Sequence, residues 1–432
     1  MNILIIGSGG REHAIARSIR KSKIVTRVIV ATGNAGISNF GECIDVDINC
    51  AFDVLEVCRN YDIKFVIIGP EVPIANGLSD KLRSWNYCVF APSQYAAQLE
   101  TSKLFAKEFM IRNNIPTAKY KCFANSECDE AIDYIKKIDG QIVLKADGLA
   151  AGKGVIVTDD KEYAINSIKE IFDGKFGKAG DQVIIEEFLE GEEASVLAIC
   201  DGKNFVCLPA AQDYKRIGEN DTGKNTGGMG SHCPTSLVSS EVLDKVKNKI
   251  ITPTLLGMKN EGYPYLGCLY VGIMVKDGEP KVVEYNCRFG DPETQVILSI
   301  FEGDFLKLLL SAAQGEIDIT AYNEEATMKK SSCCVILASG GYPDHYETGH
   351  LIKGLDIGDN VILYHSGTEK NMHELYTAGG RVLGIVAVAD NIKDAVNIAY
   401  TNAEKISFKD IYYRKDIGLR EIDRCLHSEN LQ

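Results

Sequence analysis

The sequence predicts an α/β protein with an N-terminal parallel-sheet domain, a central α+β core carrying a mobile lid, and a small C-terminal α+β cap. Three observations carry this prediction. At 432 residues the chain exceeds what one hydrophobic core holds. Its N-terminal part alternates short aliphatic runs with helical stretches, and from about Met328 a new strand pattern begins with Cys333–Leu337. The expected boundaries are residues 1–100, 101–327 with the lid at 120–189, and 328–432.

In the first unit, Ile3–Ile6, Arg27–Ala31 and Lys64–Gly69 are aliphatic runs separated by helical stretches at Glu12–Arg20 and Phe52–Asn60. Strand, helix and strand in alternation indicate a parallel sheet with helices on both faces. Ala91-Pro92-Ser93 closes this unit. Over Thr101–Asn113, Leu104, Phe105, Phe109 and Met110 recur at helical spacing until Asn113-Asn114-Ile115-Pro116 stops them, which predicts a linker helix.

A compact unit follows: strand Lys121–Phe123, helix Glu127–Lys137, strand Ile142–Ala146, a glycine loop, strand Val155–Val157, helix Glu162–Phe172 and strand Val183–Glu187. Its size suits a lid. Strands Ala194–Cys200 and Phe205–Leu208 turn at Asp201-Gly202-Lys203-Asn204. A helix at Glu241–Leu256 then precedes a hairpin of Leu266–Lys276 and Pro280–Tyr285.

Composition narrows the function classes. A net charge of −13 disfavours nucleic-acid and membrane surfaces, which would repel the chain, while local basic sites can still hold small anions. The fourteen cysteines lie scattered in apolar runs without a CxxC pair, so reduced, buried thiols are expected, Cys333-Cys334 included. MNILIIGSGG has no basic leader and reads as a first buried strand rather than a signal peptide. A cytoplasmic protein is expected.

The segment KADGLAAGKGVIVT, Lys145–Thr158, resembles a P-loop but does not fit one. Three residues separate Gly148 from Gly152, Gly154 follows Lys153 where a hydroxyl residue belongs, and Val155-Ile156-Val157 is strand rather than helix. A strand, a glycine loop and a strand, with Lys145 and Lys153 flanking exposed amides of Gly152 and Gly154, still suit phosphate. Lys103 from the linker helix would join Lys145 there as a second point charge.

Four further stretches bear on function. A strand-to-loop hinge at Glu186, Glu187, Phe188 and Leu189 can bind a base through its backbone, with Glu193, ahead of Glu192, placed to accept from ribose hydroxyls. In VVEYNCRFGDPETQ, Glu284 and Asn286 stand two apart on a strand and present oxygens to one point, as magnesium prefers. Arg288 projects from the same face if the strand persists, near a transferring phosphoryl group; the bland alternative pairs it with Asp291. Gln212-Asp213-Tyr214-Lys215-Arg216 with Asn225-Thr226-Gly227-Gly228-Met229-Gly230 offers an acid for an amino group beside amides for a carboxylate, or only a turn.

The fourth stretch, Gly7-Ser8-Gly9-Gly10-Arg11-Glu12-His13, looks like a dinucleotide fingerprint, but Glu12 stands where the third glycine belongs and the second strand ends without an acid. NAD is not expected. A single substrate phosphate at the helix N-terminus remains open, and His13 reads as a capping or packing residue rather than a base.

Together the lysines, glycine flap, hinge and Glu-x-Asn strand resemble the ATP-grasp superfamily. The closer resemblance is to the phosphoribosylamine–glycine ligase family, carried by IGSGGREHA, ATGNAG, IIGPE, KADGLAAGKGV, IEEFLEGEEAS, NTGGMG, NCRFGDPETQ, LASGGYP and YYRKDIG. That resemblance implies ligation of glycine to 5-phosphoribosylamine through glycyl phosphate, with ATP and magnesium or manganese. It implies ATP at Lys103, Lys145 and Glu186–Leu189 with Glu193 on the ribose, metal at Glu284 and Asn286, and phosphoribosylamine at Gly10, Pro70 and Glu71. Asp213, Arg288 and Asp291 would line the reaction centre. Implied partners are the small substrates and neighbouring purine-pathway enzymes, the chain being a monomer or homodimer. Fused domains of multifunctional relatives are not expected beyond YYRKDIG.

Three positions depart from the family's usual pattern, Thr32, Ala91 and Tyr214, and Leu269–Val275 lacks the extra metal-binding acid many superfamily members carry. Competing readings are an ATP-grasp carboxylase or formyl-transferring relative, a nicotinamide dehydrogenase, and a non-catalytic nucleotide binder.

Overall fold

The computed structural model describes residues 1–148, 154–358 and 360–429. Strands β1 (Asn2–Gly7), β2 (Arg27–Thr32), β3 (Glu42–Ile44), β4 (Ile63–Ile68) and β5 (Cys88–Phe90) form a parallel sheet in the order β3-β2-β1-β4-β5. Leu4, Ile6, Ile29 and Val66 enter one core while Ile3, Ile5, Val28, Val30 and Phe65 enter another. Both faces are therefore covered, as unbroken aliphatic strands require. The order reverses at β1, with β2 on one side and β4 on the other, so a crevice forms at the carboxyl ends of β1 and β4.

The helix Lys103–Arg112 leads to an antiparallel sheet of β6 (Tyr120–Ala124), β7 (Ile142–Ala146), β8 (Val155–Thr158) and β9 (Gln182–Glu187), ordered β6-β9-β7-β8. Helices Cys128–Lys137 and Lys161–Glu170 contribute to a small separate core with Phe123, Leu144 and Ile185.

A second antiparallel sheet, β10 (Glu192–Asp201), β11 (Phe205–Cys207), β16 (Leu266–Lys276) and β17 (Glu279–Asn286), runs in the order β11-β10-β16-β17. The helical stretch before β16 covers residues 240–260 and passes through a wide turn at Lys247–Ile251. Strands β12 (Gln212–Asp213) and β15 (Gly230–Cys233) flank the hairpin β13 (Arg216–Gly218) and β14 (Thr222–Asn225). They then join β18 (Ser331–Ala338), β19 (Val361–His365) and β22 (Arg381–Ala389) in a sheet ordered β12-β15-β18-β22-β19. That sheet draws strands from both sides of residue 328, while β20 (Thr368–Asn371) and β21 (Glu374–Thr377) form a separate hairpin.

The cysteines are free, and Cys333 and Cys334 are fully buried, with burial pushing the Cys333 thiol up to about 12. Among the described residues no helix is long and apolar enough to cross a membrane.

Candidate active site

The lysines meet where β7, β9 and the helix Lys103–Arg112 come together. Lys145 pairs across the ladder with Ile184, and its ammonium lies 3.0 Å from Glu186 Oε2. It also donates to the carbonyl of Val283 at 3.2 Å. That carbonyl is available because the β16–β17 register slips between Gly272 and Ile273, which leaves Val283 unpaired, and such bulges re-aim backbone groups. Lys103 donates to Gly148 O at 2.8 Å, at the mouth of the glycine loop, and burial lowers its basicity. Asp147 ties the loop to the helix by accepting from Leu104 N at 3.1 Å and Ser102 Oγ at 3.2 Å. Gly152 and Lys153, expected at the phosphates, lie outside the described residues; Gly154 begins β8's approach, its carbonyl accepting from Ala146 N at 2.9 Å.

A third lysine, unmarked in the sequence, shares the carboxylate that Lys145 meets. Lys107, 2% exposed, stands 3.2 Å from the same Glu186 oxygen, while Glu186 Oε1 is buried without a hydrogen-bond partner. At the hinge, Glu187 N donates to Lys119 O at 2.9 Å while Glu187 Oε1 accepts from Lys119 N at 3.0 Å, and Phe188 is exposed. Leu189 is half-buried beyond it.

Beside these lysines, Lys215 bridges two expected site carboxylates: it donates to Glu193 Oε1 and, at 3.1 Å, to Glu284 Oε1. Lys215, against the cost of burial, and then Lys145 and Lys103 hold the Glu284 carboxyl down to about 2, so it stays anionic. Burial opposes the Lys215 charge, but Glu193 and Glu284 outweigh it and raise its pKa. Asp213 shares this face because it stands two residues before Lys215. It is half-buried with Oδ1 enclosed and without a partner, and desolvation together with Glu293, Glu193 and Glu284 outweighs Lys215 and pushes its carboxyl well above the usual range. Tyr214, the departure from the family pattern, points the other way: its hydroxyl accepts from Gly418 N at 2.8 Å and its ring meets Arg414 and Arg420. This substitution therefore belongs to the C-terminal packing.

Glu284 and Asn286 do present oxygens from one face of β17. Opposite Glu284 stands Gly272, so β16 adds no acid, as the sequence indicated. The strand ends at Asn286, yet Arg288 still turns toward it and donates from Nη2 to Asn286 Oδ1 at 3.0 Å. Two carboxylates unforeseen as its partners hold the guanidinium: Glu71 at 3.5 Å and Glu100 at 3.2 Å. Asp291 is not its partner. Asp291 Oδ1 instead meets Arg381 at 3.2 Å and Gln295 Nε2 at 2.7 Å, and Oδ2 accepts from Arg11 N at 3.2 Å. Burial works against that charge, and Arg381 and Arg11 keep the carboxyl below its usual range. Asp291 thus joins three segments distant in sequence, with Arg381 delivered by β22.

At the ends of β1 and β4, Gly10 begins the helix Gly10–Ile19 and Pro70 caps the short helix Glu71–Ala75. Glu12 is 1% exposed; it accepts from Gly9 N at 2.7 Å and pairs with Arg11 at 2.6 Å. Its carboxylate fills the helix N-terminus where a pyrophosphate would sit, which is why the fingerprint lacks its third glycine. A side chain on Gly69 would lie 2.0 Å from Glu12 Oε1, and one on Gly7, at φ +123, 2.7 Å from Glu12 Cδ. His13 is a packing residue: its Nδ1 accepts from His365 N at 2.9 Å and its ring sits against Phe40, Tyr364 and His365.

Lys215, Glu100, Glu293, Lys107 and Arg381 are the site-region groups the sequence did not single out. The Asp-x-Lys spacing in QDYKR was a usable signal for Lys215, and Glu293 lay inside the RFGDPETQ run; nothing local marked the other three.

Family models for the phosphoribosylglycinamide synthetase N domain, ATP-grasp (A) domain and C domain match residues 1–100, 101–294 and 332–420. The chain belongs to the phosphoribosylglycinamide synthetase family. It is 45% identical over 431 residues to a phosphoribosylamine–glycine ligase of Leptospira interrogans, covering 98% of this chain and 99% of that one. A bifunctional purine biosynthetic protein of Pichia angusta is 43% identical over 427 residues; the match covers 97% of this chain and 54% of that longer protein, so the chain spans about half its length. Among solved structures, the phosphoribosylamine–glycine ligase of Thermotoga maritima superposes with a TM-score of 0.83 at 34% identity, covering 96% of this chain and all of that one (100%). The family member described here is an ATP-grasp enzyme, a carbon–nitrogen ligase of purine biosynthesis.

Proposed function

We propose that the site joins glycine to 5-phosphoribosylamine, giving glycinamide ribonucleotide, ADP and phosphate. The observation that carries this is the pairing of two charge imbalances in one site: lysines 103, 107 and 145 around Glu186 and Asp147 on one side, and Asp213, Glu193, Glu284 and Glu293 around Lys215 on the other. The first suits a polyphosphate, and the second suits a cation and an amine.

Lys103 and Lys145, with Gly152, Lys153 and Gly154, hold the ATP phosphates in this reading. Glu186–Leu189 take the base, the partnerless Glu186 Oε1 accepting its amino group, and Glu193 the ribose. The residues also fit a divalent ion: Glu284 stays ionised, Asn286 adds a neutral oxygen, and the site leaves the remaining positions to water and phosphate. Magnesium or manganese bound there would neutralise phosphate charge during transfer.

A glycine carboxylate oxygen attacks the γ-phosphorus and the bond to the ADP oxygen breaks, forming glycyl phosphate. The phosphoribosylamine nitrogen then attacks the acyl carbon, the carbon–oxygen bond to phosphate breaks, and the nitrogen loses a proton. Arg288, fixed by Glu71 and Glu100, faces the transferring group. Asp213 takes the cationic amine that its burial calls for, and Asp291 holds the RFGD turn against the crevice where Gly10, Pro70 and Glu71 receive phosphoribosylamine. The acyl phosphate hydrolyses if wet, so the unit at residues 120–189 serves as a lid over the core at 101–327, between units 1–100 and 328–432.

The test is phosphate release from ATP and magnesium with glycine alone, phosphoribosylamine generated in situ alone, and both. Release only with both, together with the glycinamide ribonucleotide mass, supports the reading; release driven by bicarbonate or formate overturns its substrate half. We further place the enzyme in the cytoplasm as a monomer or homodimer, near other purine-pathway enzymes, a placement favoured by the fused Pichia relative.

A further inference from the structure

Lys107 adds to the positive balance of the site but has no contact with substrate in the mechanism above, yet it is among the most enclosed charges in the molecule. Lys107, Glu186 and Lys145 are 2%, 4% and 6% exposed, and both ammonium groups address the same oxygen, Glu186 Oε2, at 3.2 and 3.0 Å. The two lysines differ in how fully they are engaged. Besides Glu186, Lys107 donates to Thr117 Oγ1 at 2.9 Å and Ala118 O at 3.3 Å, which uses its three N–H groups. Among the described residues Lys145 donates besides only to Val283 O, at the longer distance of 3.2 Å, so fewer of its three N–H groups are committed there. A buried carboxylate cannot be left without a countercharge.

We infer that Lys107 is a positioning residue: it is the fixed countercharge of Glu186, and by neutralising that carboxylate it releases Lys145 to serve the nucleotide phosphates. Without Lys107, Lys145 becomes the sole partner of Glu186 and is held on it. The ammonium of Lys107 never touches the nucleotide; it acts only through Glu186. Its lowered basicity, set by burial against Glu186 and reaching about 8, agrees with a charge held for its partner rather than for solvent.

The inference rests on the nucleotide role proposed for Lys145, and a double-mutant cycle separates the two. Full-length Lys107→Met, Glu186→Gln and the double variant are compared for magnesium-ATP affinity by calorimetry and for KM and kcat. Lys107→Met is expected to weaken ATP binding about tenfold or more while the KM for glycine holds. In the Glu186→Gln background the same change is expected to cost less than about threefold, because no charge remains to capture Lys145. Equal losses in both backgrounds, or wild-type affinity in Lys107→Met, overturn the inference. If Lys107→Met does not fold, the double variant read against Glu186→Gln still decides: equal affinity supports it, and a further tenfold loss overturns it. If Lys145→Ala itself binds ATP normally, the nucleotide assignment falls instead.

Discussion

Two segments of this molecule end a strand in glycine-rich backbone, residues 7–12 after β1 and 148–154 after β7, and their surroundings carry opposite charge balances. At the first, Glu12 and Asp291 supply carboxylates to the amides of Gly9 and Arg11, so the chain satisfies its own helix terminus. At the second, Lys103 reaches the loop's first carbonyl and Lys145 shares the Glu186 carboxylate with Lys107. A glycine loop announces a close approach of backbone to something; the charges around it decide whether its amides go to the chain's own carboxylates, as at Gly9 and Arg11, or stay free for a polyphosphate, while Gly10 keeps its proposed place beside phosphoribosylamine.

Removing charge from the second region gives the largest effect. Lys145→Ala is expected to cut phosphate release about 100-fold or more with the fold intact, because one preorganised charge on the transferring group is lost. Far-ultraviolet circular dichroism and single-turnover phosphate release measure both halves. An unchanged rate at saturating substrates together with unchanged ATP affinity would remove Lys145 from the site.

At the first region the same kind of deletion acts on stability. Glu12→Ala leaves Arg11 buried without its carboxylate and Gly9 N without an acceptor, and is expected to cost about 3 kcal/mol of unfolding free energy while ATP affinity stays at the wild-type level. Urea titration and calorimetry read the two quantities. A variant that kept its stability and gained affinity for NADH would show the loop to be a latent dinucleotide site and would dissolve the contrast.

The contrast also explains what the sequence could show. Strands β1, β2, β4 and β7 were legible because buried strands are unbroken aliphatic runs, whereas β3 and β5, three residues each, are too short to leave a pattern. Glu284 and Asn286 were legible because strand alternation is local, and Arg288 because its neighbours in RFGDPETQ are distinctive. Its real partners were not: Glu71 and Glu100 come from elements far back in the chain, and Arg381 reaches Asp291 only because β22 joins the same sheet as β15. Lys107 was hidden for a different reason. On a helix beside Lys103 it reads as one more solvated lysine, and its partners Thr117, Ala118 and Glu186 are brought to it only by the fold.

The smallest expected effect separates the regions by pH. His13, at the self-satisfied loop, is lowered to about 3 by burial and then by His365 and Arg17, and burial lowers His365 to about 4. Both stay neutral in the fold while an unfolded histidine protonates near 6.5, so between those values the unfolded chain binds more protons and stability falls as pH falls. Buried His232 adds to this slope in the same direction. Each histidine contributes at most about 1.4 kcal/mol per pH unit. The carboxylates held lowest, Glu284 and Glu421 at about 2, lose their contribution only as pH drops below the ordinary glutamate value of 4.5, so above it the three histidines act against two carboxyls that burial raises, Asp213 and Glu100, which take up protons in the fold and oppose the decline. Unfolding free energies measured from pH 7.5 to 5 are therefore expected to decline, and His13→Gln, whose amide oxygen can still accept from His365 N, to shallow that decline. A slope unchanged by the substitution would mean that His13 already protonates in the fold, and that the packing around this loop is looser than its burial indicates.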